Sequence, residues 1–153
     1  MSHKRDELPD AAASTLTQYA RTGYLINARY RLEKLIGEGA MGIVYEAVNV
    51  NVGKRVAIKA LRREFTDRPD VVQRFRTEAK VAAGLKHPSI VEVDDLIEEK
   101  DVLFIVYEFL QGEDLATMVE QKTGGTLSET RMLEILEAVL GGLAKAHEAG
   151  VVH

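Results

Sequence analysis

The chain has 153 residues, 46% of them hydrophobic and 29% charged, which is enough for one domain of ordinary size with a core of its own. Its 20 basic and 24 acidic side chains give a formal net charge of −4, so it lacks the positive excess that nucleic-acid binding usually requires. The absence of cysteine excludes disulfides and thiolate metal sites and fits a cytoplasmic location, and the longest apolar run, residues 102–107, is too short for a membrane segment.

The N-terminal part of the chain predicts a leader followed by a small sheet. Residues 1–27 are mostly small or polar and show no apolar period, so we expect a mobile leader there. Three runs of strand-forming residues follow, separated by a glycine cluster and a turn: the run from Tyr30, residues 43–50 and residues 55–61. Strands this short, joined by tight turns, indicate an antiparallel meander.

The remaining segments include both helix-like and strand-like patterns of apolar residues. A helix is predicted from Pro69 to Gly84, because proline suits a first helical position and glycine suits a helix end. Two further strands and two further helices are predicted at 90–97, 102–110, 114–121 and 129–150, the last capped by Ser128. The fold class is therefore α+β, with a five-stranded antiparallel sheet and one packed helix in residues 28–112, followed by two helices in residues 113–153.

The glycine cluster has a recognisable spacing. Residues 37–42 match the pattern G-x-G-x-x-G, which several unrelated folds use. The β-branched and aromatic residues that follow, 43–45, favour a strand, whereas a dinucleotide-binding fold would place a helix there. Such a hairpin can bring its backbone N–H groups close to a polyphosphate, and the alternative is an ordinary glycine-rich turn.

One lysine and one glutamate each interrupt an apolar pattern. In the run 56–61, strand alternation puts Lys59 on the same face as Ala57 and Leu61. A half-buried ammonium needs an anionic partner, unless it extends to water from a sheet edge. The inner stripe of the predicted helix contains a single carboxylate: Val71, Phe75, Glu78, Ala82 and Leu85. We expect Glu78 to pair with Lys59, the alternative being a rim position that reaches solvent.

In their order and spacing these motifs resemble the protein kinases. The resemblance rests on residues 36–44, residues 56–59, Glu78 and residues 103–112. The sequence motifs Gly-Ala-Met-Gly and Val-Tyr-Glu-Ala are most similar to those of the bacterial eukaryotic-type serine/threonine kinases. The match runs from about Tyr30 to the last residue, so it covers the N-terminal lobe and the start of the C-terminal lobe.

The resemblance implies an ATP site and a role for each matched residue. The phosphate loop would comprise Gly37, Gly39, Ala40, Met41 and Gly42, and the adenine would lie between Ile36, Val44 and Ala57. Lys59 would hold the α- and β-phosphates, and Glu78 would hold Lys59. The remaining positions belong to the hinge and its exit: Tyr107 as gatekeeper, the main chain of Glu108 and Leu110 against the adenine edge, and Asp114 near the ribose. Tyr107 has an alternative role as a core aromatic of a central strand.

The match stops at the start of the catalytic loop. His153 corresponds to the first letter of the His-Arg-Asp motif, and the catalytic aspartate and the magnesium ligands are not among the 153 residues. We therefore expect this chain to bind ATP without transferring phosphate, and we expect Mg²⁺ and a protein substrate only in the complete kinase. The alternative is a non-catalytic module that binds a nucleotide or a partner.

The last helix carries an apolar stripe that requires cover. The stripe comprises Leu133, Leu136, Leu140, Leu143 and His147. We expect His147 to be packed rather than catalytic, and His87, which precedes Pro88, to be structural. Gly141 and Gly142 lower the helix propensity and predict a close neighbour that is missing from this chain, so the helix should be poorly covered and the chain should self-associate there.

Overall fold

The computed structural model describes residues 22–122 and 125–151. In this part of the chain six strands form one antiparallel sheet in the order β1-β2-β3-β4-β6-β5. Their bounds are β1 Leu25–Ile26, β2 Tyr30–Glu38, β3 Gly42–Asn49, β4 Lys54–Leu61, β5 Val93–Glu99 and β6 Val102–Glu108. The five predicted strands are confirmed, and β1 is an addition.

Within the described ranges, three α-helices accompany the sheet: α1 Pro69–Gly84, α2 Leu115–Lys122 and α3 Glu129–Glu148. A single 3₁₀ turn, Arg63–Phe65, connects β4 to α1. Helix α3 begins as predicted, since the Ser128 side chain accepts a hydrogen bond from the backbone N–H of Arg131. The α+β fold class is therefore confirmed, with one helix on the sheet and two helices after it.

The ordered sheet starts earlier than residue 28. Ile26 pairs with Tyr30 across the β1–β2 turn and is completely buried. Glu99 holds this corner, because its carboxylate accepts hydrogen bonds from the Tyr24 hydroxyl and, at 2.6 Å, from the backbone N–H of Asn27. Residues 1–21 of the expected leader lie outside the described residues.

The fourth predicted strand, which is β5 of the structure, is displaced toward the C-terminus. It was expected at 90–97 and lies at Val93–Glu99. The reason is a turn before it, in which the backbone N–H of Ile90 donates to the carbonyl of His87 at 3.0 Å. The side chain of His87 joins that turn, since its Nδ1 accepts from the backbone N–H of Ser89 at 3.1 Å, which agrees with the structural role expected for it.

Both faces of the sheet are covered, and β6 alternates between two cores. The first core includes Val102, Phe104 and Val106 and lies on the face away from α1. The second core lies between the sheet and α1 and comprises Leu61, Val71, Phe75, Ala79, Leu103 and Ile105. Ala79 has 1% of its surface exposed, whereas the Glu78 side chain is 40% exposed. The predicted inner stripe is therefore wrong at Glu78, because the buried positions continue in steps of four and place the small Ala79 against the sheet, whereas Leu85 is buried as predicted.

Helix α3 packs against the turn that precedes β5. A Cβ added to Gly141 would lie 3.3 Å from the imidazole of His87, and one added to Gly142 would lie 3.4 Å from Ser89 Cβ. The close neighbour that the glycine pair predicts is thus present in the chain, and the expectation that it is missing was wrong. A methyl group at Gly141 would require a small shift of the His87 ring, whereas one at Gly142 would make an ordinary van der Waals contact.

Three leucines of the α3 stripe remain exposed, whereas Leu143 is half-buried. Leu133, Leu136 and Leu140 have 57%, 47% and 61% of their surface accessible. His147 is exposed as well, so its predicted packing was wrong within the part of the chain described here. The glycine pair of α3 contacts the turn before β5, and these contacts do not extend to the three exposed leucines in the part of the chain that the structure describes.

Candidate functional site

The glycine cluster forms the tip of the β2–β3 hairpin. Gly37 pairs with Val44, and the loop is closed by a hydrogen bond of 2.8 Å from the backbone N–H of Gly39 to the carbonyl of Gly42. This strand–loop–strand geometry confirms the hairpin interpretation of the G-x-G-x-x-G pattern. Ala40 is exposed at the tip, whereas the Met41 side chain packs against the second core and anchors the loop.

Arg62 holds this loop from the neighbouring strand, a contact that sequence reasoning missed. Its guanidinium donates to the carbonyl of Gly39 and to the carboxylate of Glu38, both at 3.1 Å. Its backbone N–H donates to the carbonyl of Met41 at 3.0 Å. The available signal was an arginine directly after a buried strand, and the β3–β4 register, in which Gly42 faces Leu61, was needed to use it.

A cleft opens between the glycine hairpin and β6. It has a volume of about 400 Å³ and is lined by Ile36, Val44, Ala57, Lys59, Val91, Tyr107, Glu108, Phe109 and Leu110. The structure thus brings together the residues predicted to contact adenine and adds two that were missed, Val91 and Phe109. The Arg55 guanidinium lies 4.0 Å from the centroid of the Phe109 ring and fixes that ring at the outer wall. Apolar walls with one ammonium group suit a planar base attached to an anionic chain.

Lys59, Glu78 and Tyr107 meet at the inner end of the cleft. Lys59 Nζ lies 2.6 Å from Glu78 Oε1, and the Tyr107 hydroxyl donates to the same oxygen at 3.0 Å. The Lys59 side chain is 24% exposed and the Glu78 side chain 40%, so the pair is formed but reaches water. Burial and the nearby Glu78 carboxylate raise the pKa of Tyr107, which keeps its hydroxyl protonated.

The end of β6, where the hinge begins, is tied to the residue just before β5. The backbone N–H of Glu108 donates to the carbonyl of Glu92 at 3.0 Å, and the backbone N–H of Glu92 donates to Glu108 Oε1 at 2.9 Å. The Glu108 amide is therefore in use, and a ligand in the cleft would have to bond its carbonyl. Leu110, the other expected hinge residue, is 61% exposed at the mouth of the cleft.

Asp114 lies at the start of α2. Its two carboxylate oxygens accept hydrogen bonds from the backbone N–H of Thr117 at 2.8 Å and from the Thr117 hydroxyl at 2.9 Å. These bonds to Thr117 hold the pKa of Asp114 below its usual value. The position of Asp114 near a ribose stays a prediction. His153, the other residue expected from the kinase motifs, lies outside the described residues.

Two searches of the described residues, 22–122 and 125–151, found nothing. No group of three or more histidine, aspartate or glutamate side chains among them is arranged to hold a metal ion. None of the helices in the same residues is both long and apolar enough to cross a membrane.

A family model described as the protein kinase domain matches residues 30–153 of the chain. The chain belongs to the protein kinase family. Serine/threonine-protein kinase PknA of Mycobacterium tuberculosis is 41% identical to this chain over 138 residues. The match covers 87% of this chain and 32% of PknA. Serine/threonine-protein kinase PrkC of Bacillus subtilis is 37% identical over 131 residues, 86% of this chain and 20% of PrkC.

Solved structures give the same answer for the fold. The kinase domain of Mycobacterium tuberculosis PknI superposes with a TM-score of 0.73 at 31% identity, covering 87% of this chain and 53% of that one. The resemblance found in the motifs and the kinase-lobe fold are confirmed. The kinase chain spans a third or less of the length of the curated relatives named here and about half of the solved kinase domain.

Proposed function

We propose that this chain is the ATP-binding portion of a serine/threonine protein kinase, whose complete domain transfers a phosphoryl group from ATP to a protein hydroxyl. The observation that carries the proposal is the 2.6 Å contact between Lys59 and Glu78 at the inner end of an apolar cleft under a glycine hairpin. In phosphoryl transfer a lysine held by a glutamate orients the phosphates, and a glycine loop covers them.

Each part of the cleft has a task in this proposal. The apolar walls around Val44 and Ala57 take the adenine, and the hinge at Glu108 and Leu110 offers main-chain groups to its edge. The ammonium of Lys59 neutralises phosphate charge, and it is positioned by the carboxylate of Glu78. ATP supplies the transferable phosphoryl group, and Mg²⁺ and the protein substrate enter in the complete kinase.

The experiment measures the affinity of the 153-residue chain for a fluorescent ATP analogue before and after Lys59→Met. Loss of a charge-assisted contact should weaken binding about tenfold or more. Lys54→Met is the matched control, because Lys54 lies on the same strand, pairs with Asp94 at 2.6 Å and does not line the cleft. Equal affinities for the Lys59→Met and Lys54→Met variants would contradict the proposal.

A second measurement separates ATP binding from phosphoryl transfer. Incubated with labelled ATP and a basic protein, the 153-residue chain should transfer no phosphate, because the residue that accepts the substrate proton is not among those present. Transfer that follows the purified chain would contradict this expectation. Binding without transfer also leaves a non-catalytic nucleotide-binding module as the alternative, which a longer chain carrying the catalytic loop would test.

The exposed α3 stripe supports a proposal about self-association. Leu133, Leu136 and Leu140 form a contiguous apolar face. In a purified sample, a second copy of the chain is available to cover this face. We expect light scattering to show dimers or larger species, and Leu136→Glu with Leu140→Glu to restore the monomer. A monomeric parent chain would contradict the proposed self-association.

The cytoplasmic location stays a prediction from the sequence.

A further inference from the structure

The Lys59–Glu78 pair has a third member. Glu78 Oε1 receives two donors, the Lys59 ammonium at 2.6 Å and the Tyr107 hydroxyl at 3.0 Å. Both donors come from the sheet, since Lys59 lies on β4 and Tyr107 on the adjacent β6. The acceptor comes from α1, so two bonds to one oxygen connect the helix to the sheet at the inner end of the cleft.

We propose that Tyr107 is a positioning residue, whose hydroxyl holds the Glu78 carboxylate toward the cleft so that Lys59 stays placed to receive phosphate. The inference rests on the proposed function, because its purpose is to orient Lys59 for ATP. It assigns the hydroxyl to the carboxylate of Glu78, whereas the ring serves as a wall of the cleft.

The position of Glu78 on its helix explains why a second donor is needed. The buried positions of α1 are Val71, Phe75 and Ala79, and Glu78 lies at the margin of this face with its side chain 40% exposed. Water can therefore compete for its carboxylate, and a glutamate loses rotamer freedom when it is held in one geometry. An ion pair that reaches water is weaker than a buried one, so a second bond to the same carboxylate adds to the preference for the inward rotamer.

Tyr107 is suited to this task because it is rigidly held. It pairs with Ala57 on one side and with Val93 on the other, so its backbone lies inside the sheet between β4 and β5. Its ring packs against the second core, which leaves the hydroxyl with few positions to adopt. A tyrosine hydroxyl is protonated at neutral pH and can donate, and burial together with the Glu78 carboxylate raises the pKa of Tyr107 further.

A plain core aromatic would not require the hydroxyl. Phenylalanine would fill the same space, so the variant Tyr107→Phe removes the bond to Glu78 and leaves the wall of the cleft in place. We expect it to weaken ATP binding about threefold to tenfold, the effect of one hydrogen bond to a charged group that is partly exposed. Adenosine has no phosphates to meet Lys59, so its affinity should not change.

Tyr30→Phe is the matched control. Tyr30 is a buried tyrosine whose hydroxyl donates to the carboxylate of Asp95 at 3.4 Å, far from the cleft residues. It should leave the ratio of the ATP and adenosine affinities unchanged. If Tyr107 were only structural, Tyr107→Phe would weaken both ligands equally, and that result would overturn the inference.

Urea unfolding of the parent chain and three variants tests the contact between Tyr107 and Glu78 without a nucleotide. The parent, Tyr107→Phe, Glu78→Ala and the double variant form a thermodynamic cycle. We expect the two changes to be coupled by about fivefold in the unfolding equilibrium constant, and losses that simply add would overturn the inference. If the parent chain binds no ATP, the proposed function fails, and the coupling alone then decides whether Tyr107 positions Glu78.

Discussion

The third glycine of the loop is required by the fold itself, and this leads to a prediction that needs no ligand. A Cβ on Gly42 would lie 3.0 Å from the carbonyl oxygen of Ala60 and 3.2 Å from Lys59 Cγ. Neither neighbour moves easily. Ala60 is paired on both sides, with Ile43 of β3 and Phe104 of β6, and Lys59 is held by its ion pair.

Gly42→Ala should therefore destabilise the chain before any nucleotide is added. Forcing an extra methyl group into a packed site costs about 1–3 kcal/mol. Replacing glycine by alanine returns about 0.4–1 kcal/mol by restricting the unfolded chain. The net loss in the free energy of unfolding should be about 1–2 kcal/mol, measured by urea denaturation.

Gly37→Ala is the control within the same loop. Its added Cβ would meet only Val44 Cβ at 3.8 Å, an ordinary contact, and Gly37 does not have a positive φ. The free energy of unfolding should stay within about 0.5 kcal/mol of the parent value or rise slightly. If Gly42→Ala proved as stable as Gly37→Ala, the argument from close approach would be refuted.

Two further predictions concern charged side chains. Lys59→Met and Glu78→Gln should each lower the free energy of unfolding by about 1–2 kcal/mol, which lies between the values for exposed and buried ion pairs. The double variant should lose less than the sum of the two single losses. Strictly additive losses would show that the two side chains do not interact. The folded-state pKa of Asp114 is lowered by Thr117, so its contribution to stability is complete above the unfolded pKa of about 4 and is lost as the pH falls through the folded pKa. The NMR shift of the Thr117 amide should follow this titration with a midpoint below about 3.9, and a midpoint above that value would contradict the assignment.

Local pattern in the sequence was enough to predict most elements and part of the site. Proline and glycine bound α1 where expected, and Ser128 begins α3. The strand after the glycine cluster distinguished a hairpin from a dinucleotide-binding turn. The meeting of Lys59 and Glu78 was also predictable, because each interrupts an apolar pattern and one partner explains both. The elements depend on neighbouring residues along the chain, and the ion pair was predictable from two local patterns that each contain one unmatched charge.

Tertiary structure decided which distant side chains meet. The rotation of α1 buries Ala79 in place of Glu78, and only that rotation puts the Glu78 carboxylate within reach of the Tyr107 hydroxyl. The β3–β4 register determines that Arg62 reaches the glycine loop. A rotation or a register is fixed by the packing of all elements together, and a shift of one residue would exchange the faces of a strand. The amino-acid sequence by itself therefore determined the elements and the chemistry of the cleft, whereas their assembly determined the contacts that hold it.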